Sequence, residues 1–374
     1  MRILYVLTSL AMGGAEKLTL ALCERMEQRG HTVALLVLMP RISEEWPARV
    51  NLIHLDIRRS PLSFLYGLAH ARRFAADFKP DVIHSHCFHA NLSARMLKLL
   101  SHEAAVISTV HNVYEGGSLR MLAYRLTDTL SRRTVAVSQA AAHRFVQLKA
   151  VPALKCSVIA NGIDVSQFTP DKDRRSAMRA AMGLAPDSDA SFVWLAAGRI
   201  ARAKNYSNLL RAFAAVRAVS KDARLWIAGD TASTEFGMLQ LLAADLRLCD
   251  SVRWLGLRRD LPAVLDAADG FVSSSAWEGM PLAVAEAMAM EKPVVATDVG
   301  GVRELAGDAG VIVASRDADA LARAMLGIME QSREARCVLG RAARRRIVLH
   351  FSIDANANRW ETLYRETVAQ PASI

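Results

Sequence analysis

Short runs of β-branched and aliphatic residues recur along the chain, and nearly all are apolar at consecutive rather than alternate positions. The first set is Ile3–Leu7, Val33–Leu38, Val82–His86, Val106–Val110, Val135–Val137 and Ser157–Ala160. The second is Phe192–Ala196, Arg224–Ala228, Val252–Leu255, Gly270–Ser273, Val294–Thr297 and Gly310–Val313. A strand apolar on both faces is buried on both, which is the mark of a parallel sheet covered by helices on either side. Amphipathic stretches such as Ala15–Arg29 and Leu62–Phe78 supply those helices. The pattern therefore predicts an α/β protein with two doubly wound parallel sheets in series.

A chain of 374 residues accommodates two such domains. The polar, Pro-containing stretch Thr169–Arg175 separates the two sets and reads as the linker. The expected boundaries are 1–168 for the first domain, 169–352 for the second and 353–374 for a C-terminal helical segment. That segment, helical over Ile353–Thr367 and carrying Trp360 and Tyr364, could pack back on the N-terminal domain. Ligands of open parallel sheets bind beyond the carboxyl ends of the strands. Two such domains facing each other would line a cleft with their strand-to-helix loops, so the chemistry is expected there.

The net charge is +10 with a pI near 9.7. Residues 1–170 carry 20 Lys and Arg against 12 Asp and Glu, so the basic excess is an N-terminal property. It suits an anionic partner: phosphate groups, nucleic acid or an acidic membrane surface. The five cysteines are odd in number, scattered and without C-x-x-C, which argues against a disulfide framework or zinc ribbon and suits a reducing cytosol. Met1-Arg2 before Ile3–Leu7 could pass for a short signal peptide, but the run is short and reads equally as a buried strand. No apolar run nears the ~18 residues of a membrane-spanning helix, so any membrane contact is expected to be peripheral.

Three strand-to-helix loops could carry chemistry. In Thr8–Glu16, Gly13 and Gly14 open a helix, where backbone N–H groups and the dipole favour phosphate; a plain tight turn is the alternative. The dinucleotide pattern G-x-G-x-x-G and the P-loop are both absent. In Gly198–Asn205, the cations Arg199, Arg202 and Lys204 gather at one turn. Arg199 and Lys204 could neutralise a diphosphate, one bidentately and one as a point charge. In Ser274–Ala289, Glu278 and Glu286 are eight positions apart, about two helical turns, which predicts that they share a helix face. Glu286 sits among apolar residues, an expensive place for a carboxylate without a partner. A ligand with several hydroxyls would supply one. His84-Ser85-His86-Cys87-Phe88-His89 offers three imidazoles and a thiol, but period-two alternation sends them to opposite faces, against a metal cluster. His111, after Val106–Val110, could be a satisfied core histidine.

Taken together, these residues resemble glycosyltransferase family 4. The likeness rests on Glu278 and Glu286 within E-G-M-P-L-A-V-A-E-A-M-A, on Arg199 and Lys204, on Gly13-Gly14-Ala15-Glu16, on His111 and on Asn161-Gly162-Ile163-Asp164. It implies a GT-B fold of two Rossmann-like domains facing across a cleft, and a retaining hexosyltransferase that needs neither metal nor cofactor. The resemblance also implies roles. Gly13 and Gly14 approach the donor diphosphate and sugar. Arg199 and Lys204 hold the diphosphate as it leaves. Glu278, with Gly279, Met280, Pro281 and Leu282, contacts the transferred sugar, Glu286 holds the ribose, and His111 faces the reacting centre. Glu291 departs from the family, which commonly has glycine there. Asp-x-Asp occurs only as Asp171-Lys172-Asp173 and Asp317-Ala318-Asp319, neither at a metal-binding strand end.

The implied partners are a nucleotide diphosphate sugar, with UDP favoured and GDP open, and a lipid-linked or saccharide acceptor used in bacterial surface polysaccharide or lipopolysaccharide assembly. Cytoplasmic location is expected, with peripheral contact on the inner face of an anionic membrane as an option. Basic residues (Arg58, Arg59, Arg72, Arg73, Arg95, Lys98, Arg120, Arg125, Arg132, Arg133) interleaved with Phe64, Leu65, Tyr66, Leu97 and Leu122 would suit such a surface; a solvated basic face is the alternative. Two other classes stay open at this point. One is a nucleotide-sugar epimerase or phosphorylase of the same fold. The other is a non-enzymatic nucleic-acid binder, against which stand an aromatic content of 6% and the lack of a recognition motif.

Overall fold

The apolar runs become two sheets in which every pairing is parallel. A computed structural model of the chain describes residues 1–10, 13–40, 51–58, 60–100, 104–185 and 191–369. It separates into two units, Met1–Gly162 together with the chain from Ile353 onward, and Ile163–Ser352.

In the first unit the strands are β1 (Arg2–Leu7), β2 (Thr32–Val37), β3 (Asn51–His54), β4 (Val82–His86), β5 (Ala105–Val110), β6 (Arg133–Ala136) and β7 (Cys156–Val158). Their order is β3-β2-β1-β4-β5-β6-β7, so the winding reverses between β1 and β4. Alternate residues of β1 feed different cores. Ile3, Tyr5 and Leu7 join Leu22, Met26 and Leu35 on one face. Leu4 and Val6 join Leu36, Phe78 and Leu97 on the other. β3 is the one strand of this sheet that the apolar runs do not announce: it has four residues, lies at the sheet edge and is only half-buried.

The helix Ile353–Ala369 completes the first core with Trp360, Leu363 and Tyr364. It packs along the helix Gly14–Gln28 and is tied down by Arg29 Nη1 on Glu361 Oε2 at 3.0 Å and by the Tyr5 and Tyr364 hydroxyls at 3.0 Å. Gly162 is needed where the chain passes this helix, because a Cβ there would lie 2.7 Å from Asn356 Cβ and 3.0 Å from Ile353 Cα.

In the second unit β8 (Val193–Ala197), β9 (Arg224–Ala228), β10 (Val252–Gly256), β11 (Gly270–Ser273), β12 (Val294–Thr297) and β13 (Val311–Val313) are ordered β10-β9-β8-β11-β12-β13. The helices Tyr206–Val219 and Ala318–Met329 bury Leu209, Phe213, Val216 and Met325 against Trp194, Leu225 and Val295.

Two expectations are corrected. Thr169–Arg175 is not a linker: the units divide at Gly162 and Ile163, and this stretch belongs to the second. Asp171 caps the helix Lys172–Ala181, and Arg174 and Arg175 pair with Asp266 and Asp269. A charged helix start and a linker have the same composition, so composition does not separate them. Arg95 is not a surface cation either. It is fully buried, donating to Ser108 Oγ, the Tyr124 carbonyl, Thr127 Oγ1 and Thr134 Oγ1 at 2.9–3.2 Å. Arg59 lies outside the described residues. Among the described residues no helix is long and apolar enough to cross a membrane.

Candidate functional site

In the second unit β8 runs into Gly198, whose φ of +147° suits glycine and whose Cβ, if present, would lie 2.7 Å from Lys204 Cε. A tight turn at Arg202–Lys204 and a left-handed Asn205 then start the helix Tyr206–Val219. Tyr206 Oη donates to the Gly198 carbonyl at 2.9 Å and closes the loop. Burial, and next the Glu278 carboxylate, push this phenol well above its ordinary range. Arg199 is exposed and takes no hydrogen bond or ion pair from the described residues.

The loop after β11 is knitted to the first. Ser274 Oγ donates to the Lys204 carbonyl at 2.9 Å, and the Ala276 amide donates to the Ala203 carbonyl at 2.7 Å. Lys204 Nζ and Ser275 Oγ both reach Glu278 Oε1, at 2.6 and 2.8 Å. Lys204 and Glu278 keep 19% and 13% of their side-chain surface exposed, so a polar ligand can reach this pair. A third loop supports it. The Gly301 amide donates to the Gly279 carbonyl at 2.7 Å, and Gly300 (φ +55°) approaches so closely that a Cβ would lie 2.1 Å from the Glu278 carbonyl oxygen.

Glu278 and Glu286 do not share a helix, contrary to the expectation from spacing. The helix is Leu282–Ala289 with Pro281 as its cap, leaving Glu278 in the preceding loop. Proline drives the residue before it, Met280, away from helical backbone. Glu286 is on that helix, 8% exposed, flanked by the buried Ala285 and Ala287. Gly279, Met280 and Pro281 are buried, and Leu282 is half-buried at the first helical position. Ser275 and Gly300 were missed by sequence reasoning. A signal for the second existed, since Gly300-Gly301 after β12 is another diglycine at a strand-to-helix turn.

In the first unit Gly13 caps the helix Gly14–Gln28 with extended backbone and no side-chain cap, leaving first-turn N–H groups uncapped by a side chain. A Cβ on Gly13 would fall 2.2 Å from Glu16 Oε2. Gly14 is exposed; Ala11 and Met12 of this loop lie outside the described residues.

His111 follows β5. Its amide donates to Glu115 Oε1 at 2.9 Å, and Glu115 Oε2 accepts from Tyr124 Oη at 2.7 Å. Its ring Nε2 lies 2.9 Å from His86 Nδ1. The ring is half-buried, and burial lowers it to about 4, so it is neutral near pH 7. His84 is wholly buried and structural, with Nδ1 2.6 Å from Tyr364 Oη and Nε2 2.7 Å from Thr109 Oγ1. Cys87 has left-handed backbone (φ +70°) and His89 belongs to the helix Phe88–Leu100. Among the described residues no three His, Cys, Asp or Glu side chains gather in a way that could hold a metal ion.

Residues 12–167 match the family model Glycosyltransferase Family 4, and residues 191–331 match Glycosyl transferases group 1. The UDP-Gal:alpha-D-GlcNAc-diphosphoundecaprenol alpha-1,3-galactosyltransferase of Escherichia coli is 25% identical over 78% of this chain and 76% of its own. A D-inositol 3-phosphate glycosyltransferase of Salinispora arenicola is 28% identical over 82% and 73%. Among solved structures, Anabaena Alr3699/HepE in complex with UDP-glucose superposes with a TM-score of 0.84 at 22% identity, over 98% of this chain and 100% of that one. A glycosyltransferase from Rickettsia africae does so with 0.84 at 20% identity, over 99% of each. At these identities the superpositions speak for the fold alone. With a glycosyltransferase model on each unit and two parallel sheets wound as in those structures, the chain belongs to the family 4 glycosyltransferases of the GT-B fold.

Proposed function

We propose that the protein transfers a hexose or N-acetylhexosamine from a nucleotide diphosphate sugar, UDP-linked, to a hydroxyl of a lipid-linked or saccharide acceptor in cell-surface polysaccharide assembly, with retention and without a metal. The observation that carries this reading is the second unit's loop set: an accessible Lys204–Glu278 pair with the cation Arg199, unpaired among the described residues, on the same turn. The E. coli relative is named for a UDP-galactose donor and a diphosphoundecaprenol acceptor, which supports donor and acceptor class alike.

Arg199 and Lys204 neutralise the diphosphate as the bond from the anomeric carbon to its phosphate oxygen breaks. Electrostatic stabilisation and positioning of this kind supply most of such a barrier reduction. Glu278 takes hydroxyls of the transferred sugar, with the Gly279–Leu282 backbone beside it, and Glu286 takes the ribose. Gly13 and Gly14 present uncapped amides to the donor, and His111 serves the reacting sugar. The departing phosphate oxygen accepts the acceptor's proton while the acceptor oxygen bonds to the anomeric carbon on the same face. No carboxylate base is then required.

The test is calorimetric binding of UDP, GDP and ADP, with and without EDTA, to the native protein and to Glu286→Gln, followed by NMR of the transferred anomer. Chelator-insensitive binding of UDP weakened by the substitution, with retained product, is expected. Inverted product, or metal-dependent binding, would overturn the mechanism.

A peripheral membrane role is favoured by one further observation. The helix Ser118–Leu126 exposes Leu119, Leu122 and Leu126 along one face next to Arg125, and the helix Pro61–Phe78 exposes Leu62, Leu65 and Tyr66 with Arg72 and Arg73 farther along it. Apolar stripes flanked by arginines suit the surface of an anionic bilayer holding a lipid-linked acceptor.

A further inference from the structure

Resting on the role given to His111 above, we propose that His86 is a positioning residue that locks His111 as its Nδ1–H tautomer, so that His111 meets the sugar as a neutral hydrogen-bond donor and not as a base.

The number of protons the imidazole pair can hold decides the tautomer. His86 ends β4, 1% exposed, with its ring packed against His84 (centroids 4.1 Å apart) and stacked on Tyr5 (6.1 Å). Its Nδ1 is 2.9 Å from His111 Nε2, and its Nε2 is buried without any hydrogen-bond partner among the described residues. A hydrogen bond between two neutral imidazoles holds one proton. Were His111 the donor, His86 would carry its own proton on Nε2, and that N–H would be buried with no acceptor. Orphaned buried N–H groups are rare, whereas a bare acceptor lone pair is better tolerated. A charged His86 would keep the same orphan and add an unpaired buried charge beside His84. His86 therefore donates from Nδ1 and leaves Nε2 bare.

It follows that His111 Nε2 accepts, and that the neutral ring holds its proton on Nδ1. The His111 main chain is fixed at the same time by Glu115. His84, with both nitrogens engaged by Tyr364 and Thr109, backs the His86 ring from behind. His84 and His86 share β4 while Thr109 lies on β5 and Tyr364 on the C-terminal helix, so the tautomer of a loop residue is set by the packed core beneath it.

The experiment is long-range 1H–15N correlation of the ligand-free protein with 15N-labelled histidine at pH 7.5, the His111 signals being assigned from His111→Gln. His111 should show a protonated Nδ1 and an unprotonated Nε2. His86→Asn, whose amide N–H stands where Nδ1 stood, should preserve that pattern; His86→Phe should convert His111 to the Nε2–H form or to a mixture. A native spectrum with the proton on Nε2 overturns the proposal, and so does an unchanged pattern in His86→Phe. Should His86→Phe fail to fold, the native and His86→Asn spectra still decide it. No donor is present in the measurement, so it stands apart from transfer. The expected spectrum combined with full transfer activity of His111→Gln would remove His111 from the mechanism and leave the tautomer lock intact.

Discussion

Lys204 Nζ stands 2.6 Å from Glu278 Oε1, joining the loop after β8 to the loop after β11 through a pair that is neither fully buried nor free in solvent. Breaking it from the lysine side leaves Glu278 with Ser275 as its hydrogen-bond partner. Lys204→Ala is expected to cost about 1.5–3 kcal/mol in urea unfolding, the range for hydrogen bonds to charged groups. It should also weaken UDP binding at least tenfold. Glu278→Gln should bind UDP nearly normally yet lose on the order of 10²-fold in transfer, because the contacts proposed for it are to the sugar. Since the two residues touch, Lys204→Met with Glu278→Gln should destabilise by less than the sum of the single changes; strict additivity would mean the pair is not coupled.

Gly300 supports the same loop from behind. With φ +55° and a virtual Cβ 2.1 Å from the Glu278 carbonyl oxygen, any side chain must move backbone rather than a flexible side chain. Gly300→Ala should therefore cost about 1–3 kcal/mol and reduce donor affinity, although residue 300 is given no contact with the donor. An alanine variant with native stability and native UDP affinity would show that the loop yields freely.

The sequence made the two sheets legible because a strand buried on both faces leaves a continuous apolar run. β3 escaped because Asn51–His54 is an edge strand that needs only half a face buried. The loops of the site were legible for the same reason, since each begins where an apolar run stops. What spacing could not show was the break at Pro281, which takes Glu278 off the helix of Glu286. Nor could it show Ser275 on Glu278 or Gly300 behind it, since the second depends on the parallel register of β11 with β12. Arg95 reads as a surface cation in any composition argument, and only the convergence of four oxygen acceptors explains its burial.

The buried imidazoles predict acid sensitivity. Burial lowers His111 to about 4 and holds His84 and His86 well below the ordinary value of 6.5. Unfolding then takes up protons between those folded values and about pH 6.5. Stability is fully present above about pH 6.5 and is lost as the pH falls toward 4. Thermal midpoints should drop steadily from pH 7 to 5, and His111→Gln should reduce the proton uptake at pH 5 by about one. A midpoint independent of pH over that range would contradict the neutral state assigned to these rings.

If the exposed stripes of the first unit meet a membrane, Arg72 and Arg73 supply part of the attraction. Each basic residue near an anionic surface is worth about 1 kcal/mol at low salt. Replacing both with glutamine should weaken sedimentation with phosphatidylglycerol vesicles by roughly 10- to 30-fold. Leu122→Ser should weaken it further, with less dependence on salt. Binding that ignores all three changes would remove the membrane from the acceptor side.

Glu291 offers a test in the opposite direction, a substitution that should stabilise. It follows the helix Leu282–Ala289 with φ +57°, the left-handed position at which helices favour glycine. That backbone requirement accounts for the glycine common there in the family. A non-glycine residue in this conformation costs about 1–2 kcal/mol, part of which glycine returns through its freer unfolded chain. Against the strain stands the pull of the Glu291 carboxylate on Lys292, whose ammonium is lowered to about 8 by burial and by Arg175. Asp266 and Asp269 act on that ammonium more strongly than Glu291 does, so removing Glu291 alone leaves it supported. Glu291→Gly should accordingly raise stability by about 0.5–1 kcal/mol in urea unfolding and leave UDP binding unchanged. A loss of stability would mean that the charge on Glu291 is worth more to Lys292 than the turn gains from a relaxed backbone.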